Sequence, residues 1–194
     1  MITAPDSRYS CIGREAIKVV SMFAVLSLLT FFCCAPVSGE TRDEYAVKAA
    51  FVMNFAMLTE WPESAFSSPT ADISLCVVGK TALPQPFRSI EGKKIGTRKL
   101  HVAAVNSQAT PTECNIIFYK EEVDTADLVR TLSAVRGKPV LTVGDKERVT
   151  QLGGAIHFYT QNGKLRFAIN PAVIAKQGLK LSSRLLKIAT LIDN

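Results

Sequence analysis

Two rhythms of apolar and polar residues run along the chain. The first is the stretch EYAVKAAFVMNFAMLTEW, in which no charge occurs between Ala49 and Thr59 and apolar residues occupy more than one helical face. Thr41-Arg-Asp-Glu44 has capping-box spacing, so the pattern predicts a helix from about residue 42 to about Trp61, where Pro62 blocks continuation. A helix apolar nearly all round is buried on most sides or shared with a partner. Burial alone is the simpler reading, and a shared surface is its alternative.

The second rhythm is a series of short apolar runs separated by turns and helical stretches. ISLCVVG (73–79), LHVAAV (100–105), NIIFY (115–119) and PVLTVGD (139–145) read as buried strands. A short helix is expected around Leu83 to Ile90. A second, capped by Asp124-Thr-Ala-Asp127, should end at Gly137, and another short one should precede Gly153-Gly154. AIHFYT (155–160) and KLRFAIN (164–170) flank Gln161-Asn162-Gly163, a strong hairpin signal. Asn170-Pro171 opens a helix at its first turn, and Ser182 or Ser183 caps the last one, RLLKIATLI. Strands alternating with helices predict an α/β fold: a single domain with a mixed sheet flanked by helices and an antiparallel hairpin near its C-terminal end. No linker, internal repeat or low-complexity segment interrupts it.

The first 39 residues do not fit that alternation. Arg14 and Lys18 precede an uncharged, mostly apolar stretch from Val19 to Cys34, and APVSG follows. A basic region, a short apolar core and small residues make up a secretory signal peptide, here of the Sec type with cleavage expected after Gly39. The apolar stretch is shorter than the ~20 residues of a transmembrane helix, although an uncleaved anchor is the alternative. Residues 40–194 would then be the mature, periplasmic chain.

Export changes the composition. The full chain has 23 Lys+Arg, 17 Asp+Glu and five cysteines. Residues 1–39 carry Arg8, Arg14, Lys18, Asp6, Glu15, Cys11, Cys33 and Cys34, so the mature chain keeps 20 basic and 15 acidic residues and two cysteines. Cys76 and Cys114, an isolated pair in an exported protein, are most simply a disulfide; two buried free thiols are the alternative. Such a bond closes a loop of 38 residues and by chain entropy contributes roughly 4 kcal/mol.

Signatures of catalysis fail one by one. Gly79-Lys80-Thr81 follows a strand, but a phosphate loop needs a glycine where Ser74 stands. His101 and His157 fall on different strands, so no cluster has metal-ligand spacing and each reads as an ordinary sheet residue. Asp145 and Glu60 sit at element ends, as catalytic acids and ordinary caps both do, and nothing pairs them. The basic residues come in small groups without interleaved aromatics, which argues against nucleic-acid binding. Binding or regulation is the expectation, with no enzyme activity, metal or cofactor. A periplasmic small-ligand binder is the alternative, because open α/β sheets offer crevices at strand ends.

KAAFVMNFAMLTEWP (48–62), ISLCVVG, CNIIFY, PVLTVGD and GGAIHFYTQNGKLRFAINPAVIAKQGLKLSSRLLKIA (153–189) resemble, in this order, the blocks of the YfiR family. The tract KLRFAIN with LKLSSRLLKIA is the most specific part. The resemblance implies a periplasmic α/β regulator that tends to dimerise. It would bind and repress the sensor domain of an inner-membrane diguanylate cyclase, lowering cyclic di-GMP and biofilm formation. An outer-membrane lipoprotein would sequester it. Cys76 and Cys114 match the family's cysteine pair. The second, C-terminal disulfide of the best-characterised member has no counterpart, since no cysteine follows Cys114, and its redox role is not implied here. Arg166 and Asn170 are family-motif residues. For partner binding, the apolar helix offers Phe51, Phe55, Leu58 and Trp61, with a core role for these four as the alternative.

Overall fold

The computed structural model describes residues 40–111 and 113–193. The segment expected to be a signal peptide (residues 1–39) and the Thr41 capping-box side chain lie outside the described residues. The first helix, α1 (Glu40–Met57), leads into a short strand, β1 (Thr59–Glu60), and a 3-10 turn at Glu63–Ala65. The sheet then begins with β2 (Ile73–Gly79), α2 (Gln85–Arg88), β3 (Lys94–Ile95), β4 (Arg98–Asn106) and β5 (Ile116–Tyr119). It continues through α3 (Thr125–Ala134), β6 (Leu141–Gly144), α4 (Arg148–Gln151), β7 (Ile156–Gln161) and β8 (Lys164–Ile169). The chain closes with α5 (Pro171–Lys176), β9 (Lys180–Leu181), α6 (Ser183–Ile188) and β10 (Thr190–Leu191).

Eight strands form one mixed sheet in the order β10-β8-β7-β6-β5-β2-β4-β3, and β1 pairs with β9 in a separate two-stranded ribbon. The five central strands, β4-β2-β5-β6-β7, are all parallel. Their side chains alternate between two cores, which is why these runs are apolar on both faces. Leu75, Val77, Ile116, Phe118, Val143 and Phe158 pack toward α1 and α2. Cys76, Val78, Ile117 and Tyr119 pack on the other face with Leu128 and Leu132 of α3. Cys76 and Cys114 are joined by a disulfide with Cα atoms 5.9 Å apart, tying β2 to the segment that enters β5. The β7–β8 hairpin turns through Asn162 (φ 52°) and Gly163 (φ 69°), the left-handed pair that Asn-Gly supplies at little steric cost.

Several element ends differ from the sequence pattern, and three of the differences have a visible cause. Helix α1 stops four residues before Trp61 because the Thr59 hydroxyl donates to the Phe55 carbonyl (2.7 Å) and Thr59 pairs with Leu181. The expected cap of α3 has the right backbone at Asp124 but no side-chain cap bond; its carboxylate accepts from Lys80 Nζ (2.6 Å) instead. The final helix ends at Ile188, and Thr190–Leu191 adds to the open edge of β8 in parallel, held by Tyr159 Oη and Thr190 Oγ1 at 2.6 Å. The other caps follow the pattern: Asn170 accepts from the Val173 amide (3.2 Å), and Ser182 from the Arg184 amide (3.3 Å).

Candidate functional site

In the parallel part of the sheet the first strand, β2, lies between β4 and β5, so the chain reverses its direction of travel there. A crevice outside the carboxyl ends of strands at such a switch point is where doubly wound sheets bind ligands. In this chain the loops after β2 and β5 fill it with one another's side chains. Lys120 is buried, and its ammonium contacts the Thr81 hydroxyl, the Thr81 and Ala82 carbonyls (3.4 Å each) and the Glu122 carboxylate (2.8 Å). Glu122 Oε1 also accepts from the Thr81 hydroxyl (2.9 Å) and the amides of Lys80 and Thr81 (3.3 Å each). Burial alone would raise the Glu122 carboxyl. The bonds from Lys120, the backbone and Thr81 more than offset it and bring the group down to about 2.

This packing explains the Gly79-Lys80-Thr81 sequence. A Cβ on Gly79 would lie 2.7 Å from Lys120 Cδ and 2.9 Å from Glu122 Oε1. The glycine makes room for a lysine and a glutamate of its own chain.

One strand further on, Asp145 follows β6 and is buried against Lys48 of α1, whose ammonium also pairs with Glu44. Burial holds the Asp145 carboxyl above the usual range despite the neighbouring Lys48 ammonium. Burial, reinforced by the Asp145 and Glu122 carboxylates, pushes the Tyr45 hydroxyl far up. Lys146 pairs with Glu121 at 2.5 Å beside a cavity of about 360 Å³. Lys48 and Lys120 thus each hold a carboxylate in place, an arrangement that locks loops together and leaves no free base or nucleophile among these groups.

The other sequence candidates are scattered. His101 is exposed on β4 and contacts Glu91 (3.2 Å), whereas His157 is buried on β7 against Thr150 (2.8 Å), and burial lowers its pKa. Glu60 is exposed on β1, far in sequence and role from the buried Asp145. Among the described residues no group of three or more His, Cys, Asp or Glu is placed to hold a metal ion. Asn170 is buried as a helix cap, and Arg166 is exposed on β8 opposite Tyr159, without an acidic partner among the described residues.

The four residues expected at a partner surface divide. Phe55 is 0% exposed and packs on Phe158 and Phe167, with ring centroids 5.8 and 5.0 Å away. Its ring cannot meet a partner while the fold is intact. Phe51, Leu58 and Trp61 are partly buried against the same core and keep an accessible edge. Lys120, Thr81 and Glu122 carried a faint sequence signal, a Lys-Glu-Glu directly after an all-apolar strand. Lys48 carried one as the single lysine inside an apolar helix. Neither signal reveals a pairing, because each partner comes from a distant segment.

Among the described residues no helix is long and apolar enough to cross a membrane. The model of the YfiR/HmsC-like family matches residues 45–190. Among solved structures, a conserved domain protein from Vibrio cholerae is similar at 13% identity and a TM-score of 0.42, over 61% of this chain and 54% of that one. The chain therefore spans about half the length of that protein.

Proposed function

Given that the chain belongs to the YfiR/HmsC-like family, a family of periplasmic regulators, we propose that it binds and represses the sensor domain of an inner-membrane diguanylate cyclase. Repression would lower cyclic di-GMP and biofilm formation. In this reading residues 1–39 are a signal peptide removed on export, the mature chain is a periplasmic homodimer, and an outer-membrane lipoprotein relieves repression by sequestering it. It is a binding protein and not an enzyme.

The observation that carries the reading is the family match over residues 45–190. The chemistry of the strand ends supports it: the crevice where an α/β sheet would hold a small ligand or run a reaction is filled by Lys120, Thr81 and Glu122 in mutual contact. The surface contacts of the regulator would come from the accessible edges of Phe51, Leu58 and Trp61.

The test is a pull-down from membranes with tagged residues 40–194 under non-reducing conditions, paired with a cyclic di-GMP measurement after deletion of the gene. Recovery of a diguanylate cyclase and a rise in cyclic di-GMP are expected. Recovery of no membrane protein, together with a small molecule bound in the cavity of about 620 Å³ near Cys114 and Asn115, would make the protein a periplasmic ligand carrier instead.

A further inference from the structure

The charge of this protein is not spread evenly along the chain. Residues 40–147 carry 13 basic and 14 acidic residues, whereas residues 148–194 carry seven basic and one acidic, Asp193. Arg148 donates to the Thr125 hydroxyl (2.8 Å). The other six cations, Lys164, Arg166, Lys176, Lys180, Arg184 and Lys187, are exposed, and none forms an ion pair among the described residues. Lys180 stands opposite Glu60 in the β1–β9 ribbon, which offsets its charge.

The same part of the chain holds the two most exposed large apolar side chains among the described residues, Ile188 at 64% and Leu191 at 54%. Met57 and Val47 are less open and lie on α1 in an uncharged stripe with Ala46, Ala50 and Asn54. Ile188 and Leu191 instead stand among cations. Arg184 and Ile188 are one turn apart on the same side of α6 with Lys187 next to them, while Leu185 turns into the core. The chain then enters β10, the outermost strand of the sheet. Thr190 pairs with Ala168 in parallel, so Ile188 and Arg166, each two residues earlier, approach this pair from the same end. Leu165 and Phe167 pack toward α1, so Arg166 between them projects from the other face of the sheet, on the side of Tyr159. The free edge thus carries an exposed aliphatic pair, with Arg184 and Lys187 on α6 and Arg166 on the far face of β8.

We propose that this edge is a membrane-docking surface, resting on anionic phospholipid headgroups with Ile188 and Leu191 entering the interface. Arginine and lysine on long apolar stems reach phosphates while neighbouring aliphatic side chains are buried, and each cation contributes ~1 kcal/mol near an anionic surface. None of Arg166, Arg184, Lys187, Ile188 and Leu191 lines the cavities of about 360 and 620 Å³ described above. Flexible cations outside a hollow suit a fluid layer of headgroups, which requires no fixed shape match. A second copy of the chain is a poor occupant, because a two-fold contact through this edge would set the three cations against themselves. The inference rests on the periplasmic reading above, which places the protein beside a bilayer.

The test measures flotation of the protein, expressed from its full-length gene, with vesicles of equal parts phosphatidylglycerol and phosphatidylcholine, and with vesicles of phosphatidylcholine alone. Binding to the first and not to the second is expected. Arg184→Gln with Lys187→Gln should lower the partition coefficient roughly thirtyfold, at ~1 kcal/mol for each cation. Ile188→Ser should lower it about fivefold, through lost apolar burial. The control, Lys93→Gln with Lys94→Gln, removes the same charge beside β3 at the opposite edge of the sheet and should stay within about twofold of the parent. All these side chains are exposed, so each variant should keep the parent's melting temperature. No binding to the anionic vesicles, equal binding to both kinds, equal losses in the two lysine-bearing double variants, or an unaffected Ile188→Ser each overturns the docking edge. Loss of a captured membrane protein in the Arg184/Lys187 variant, without vesicle binding by the parent, assigns the patch to an acidic protein and overturns it as well. Vesicle binding without capture of a cyclase keeps the edge and removes the regulatory reading. Capture of a cyclase without vesicle binding does the reverse.

Discussion

Two regions of this molecule treat charge in opposite ways. At the strand ends beside the switch point, Lys120, Glu122, Lys80, Asp124, Lys48 and Asp145 are all engaged with one another. Along α1 the exposed stripe has no charge, and the lysines of the β3–β4 hairpin form no ion pair among the described residues. The first region is complete within the chain, because each buried ion is held by a counter-ion and by hydrogen bonds; a buried charge without them would be costly. The second is incomplete, with apolar surface and like charges in water. A fold of this type usually keeps its crevice open for a ligand, but here the crevice is closed and a helix face is open.

The comparison can be broken most sharply on α1 itself. Phe55→Asp places a carboxylate among Phe51, Phe158 and Phe167 and should abolish folding, an effect larger than ~4 kcal/mol. Ala50→Asp, one and a half turns away on the open face, should leave the thermal melt within about 0.5 kcal/mol of the parent. Equal losses for the two would show that the outer face is as buried as the inner one. Next in size is the disulfide. Replacing Cys76 and Cys114 by Ser should lower stability by ~2–4 kcal/mol with the same circular dichroism spectrum. An unchanged melting temperature would remove the bond from any account of stability.

Gly144→Ala tests how tightly the strand ends are filled. Its Cβ would fall 2.0 Å from Val149 Cγ2, so denaturant titration should register a cost of ~1–3 kcal/mol.

The smallest effects are in pH dependence. Glu122 ionises at about 2 in the folded chain, below its ordinary 4.5. Its stabilising contribution is therefore present above pH 4.5 and lost as the pH falls toward 2. His157 is also lowered, from 6.5, so its contribution is present above pH 6.5 and lost on acidification below it. Asp145 is raised from 3.8 and acts in the opposite sense, favouring the fold as its carboxyl takes up a proton. Melting temperatures measured from pH 8 to pH 3 should fall overall, less steeply in His157→Gln below pH 6.5 and in Glu122→Gln below pH 4.5. A profile identical to the parent in both variants would refute the pairing scheme at the strand ends.

Much of the fold was legible in the residues. ISLCVVG marks β2 to the residue, because a strand buried on both faces must be apolar throughout. Asn162-Gly163 marks the hairpin, because few other residues accept two successive positive φ angles. Asn170-Pro171 marks a helix start, because the cap and the fixed φ of proline act locally. The short strands at Thr59–Glu60 and Thr190–Leu191 were not legible. Each is two residues long and exists because another strand, β9 or β8, offers an unpaired edge.

The site divides in the same way. Cys76 and Cys114 could be paired by counting, since they are the two cysteines that follow the segment expected to be a signal peptide. That Phe55 is core while Phe51, Leu58 and Trp61 keep an open edge could not be read from an apolar helix, where all four look alike. The amino-acid order by itself determined where the longer strands and the helices lie, the turn chemistry and the disulfide, because each depends on neighbours in sequence or on composition. Tertiary structure alone decided the strand order, and with it the switch point. It also brought Lys120 to Thr81 and Lys48 to Asp145. Contacts between segments separated by tens of residues depend on how layers pack, and no local pattern encodes them.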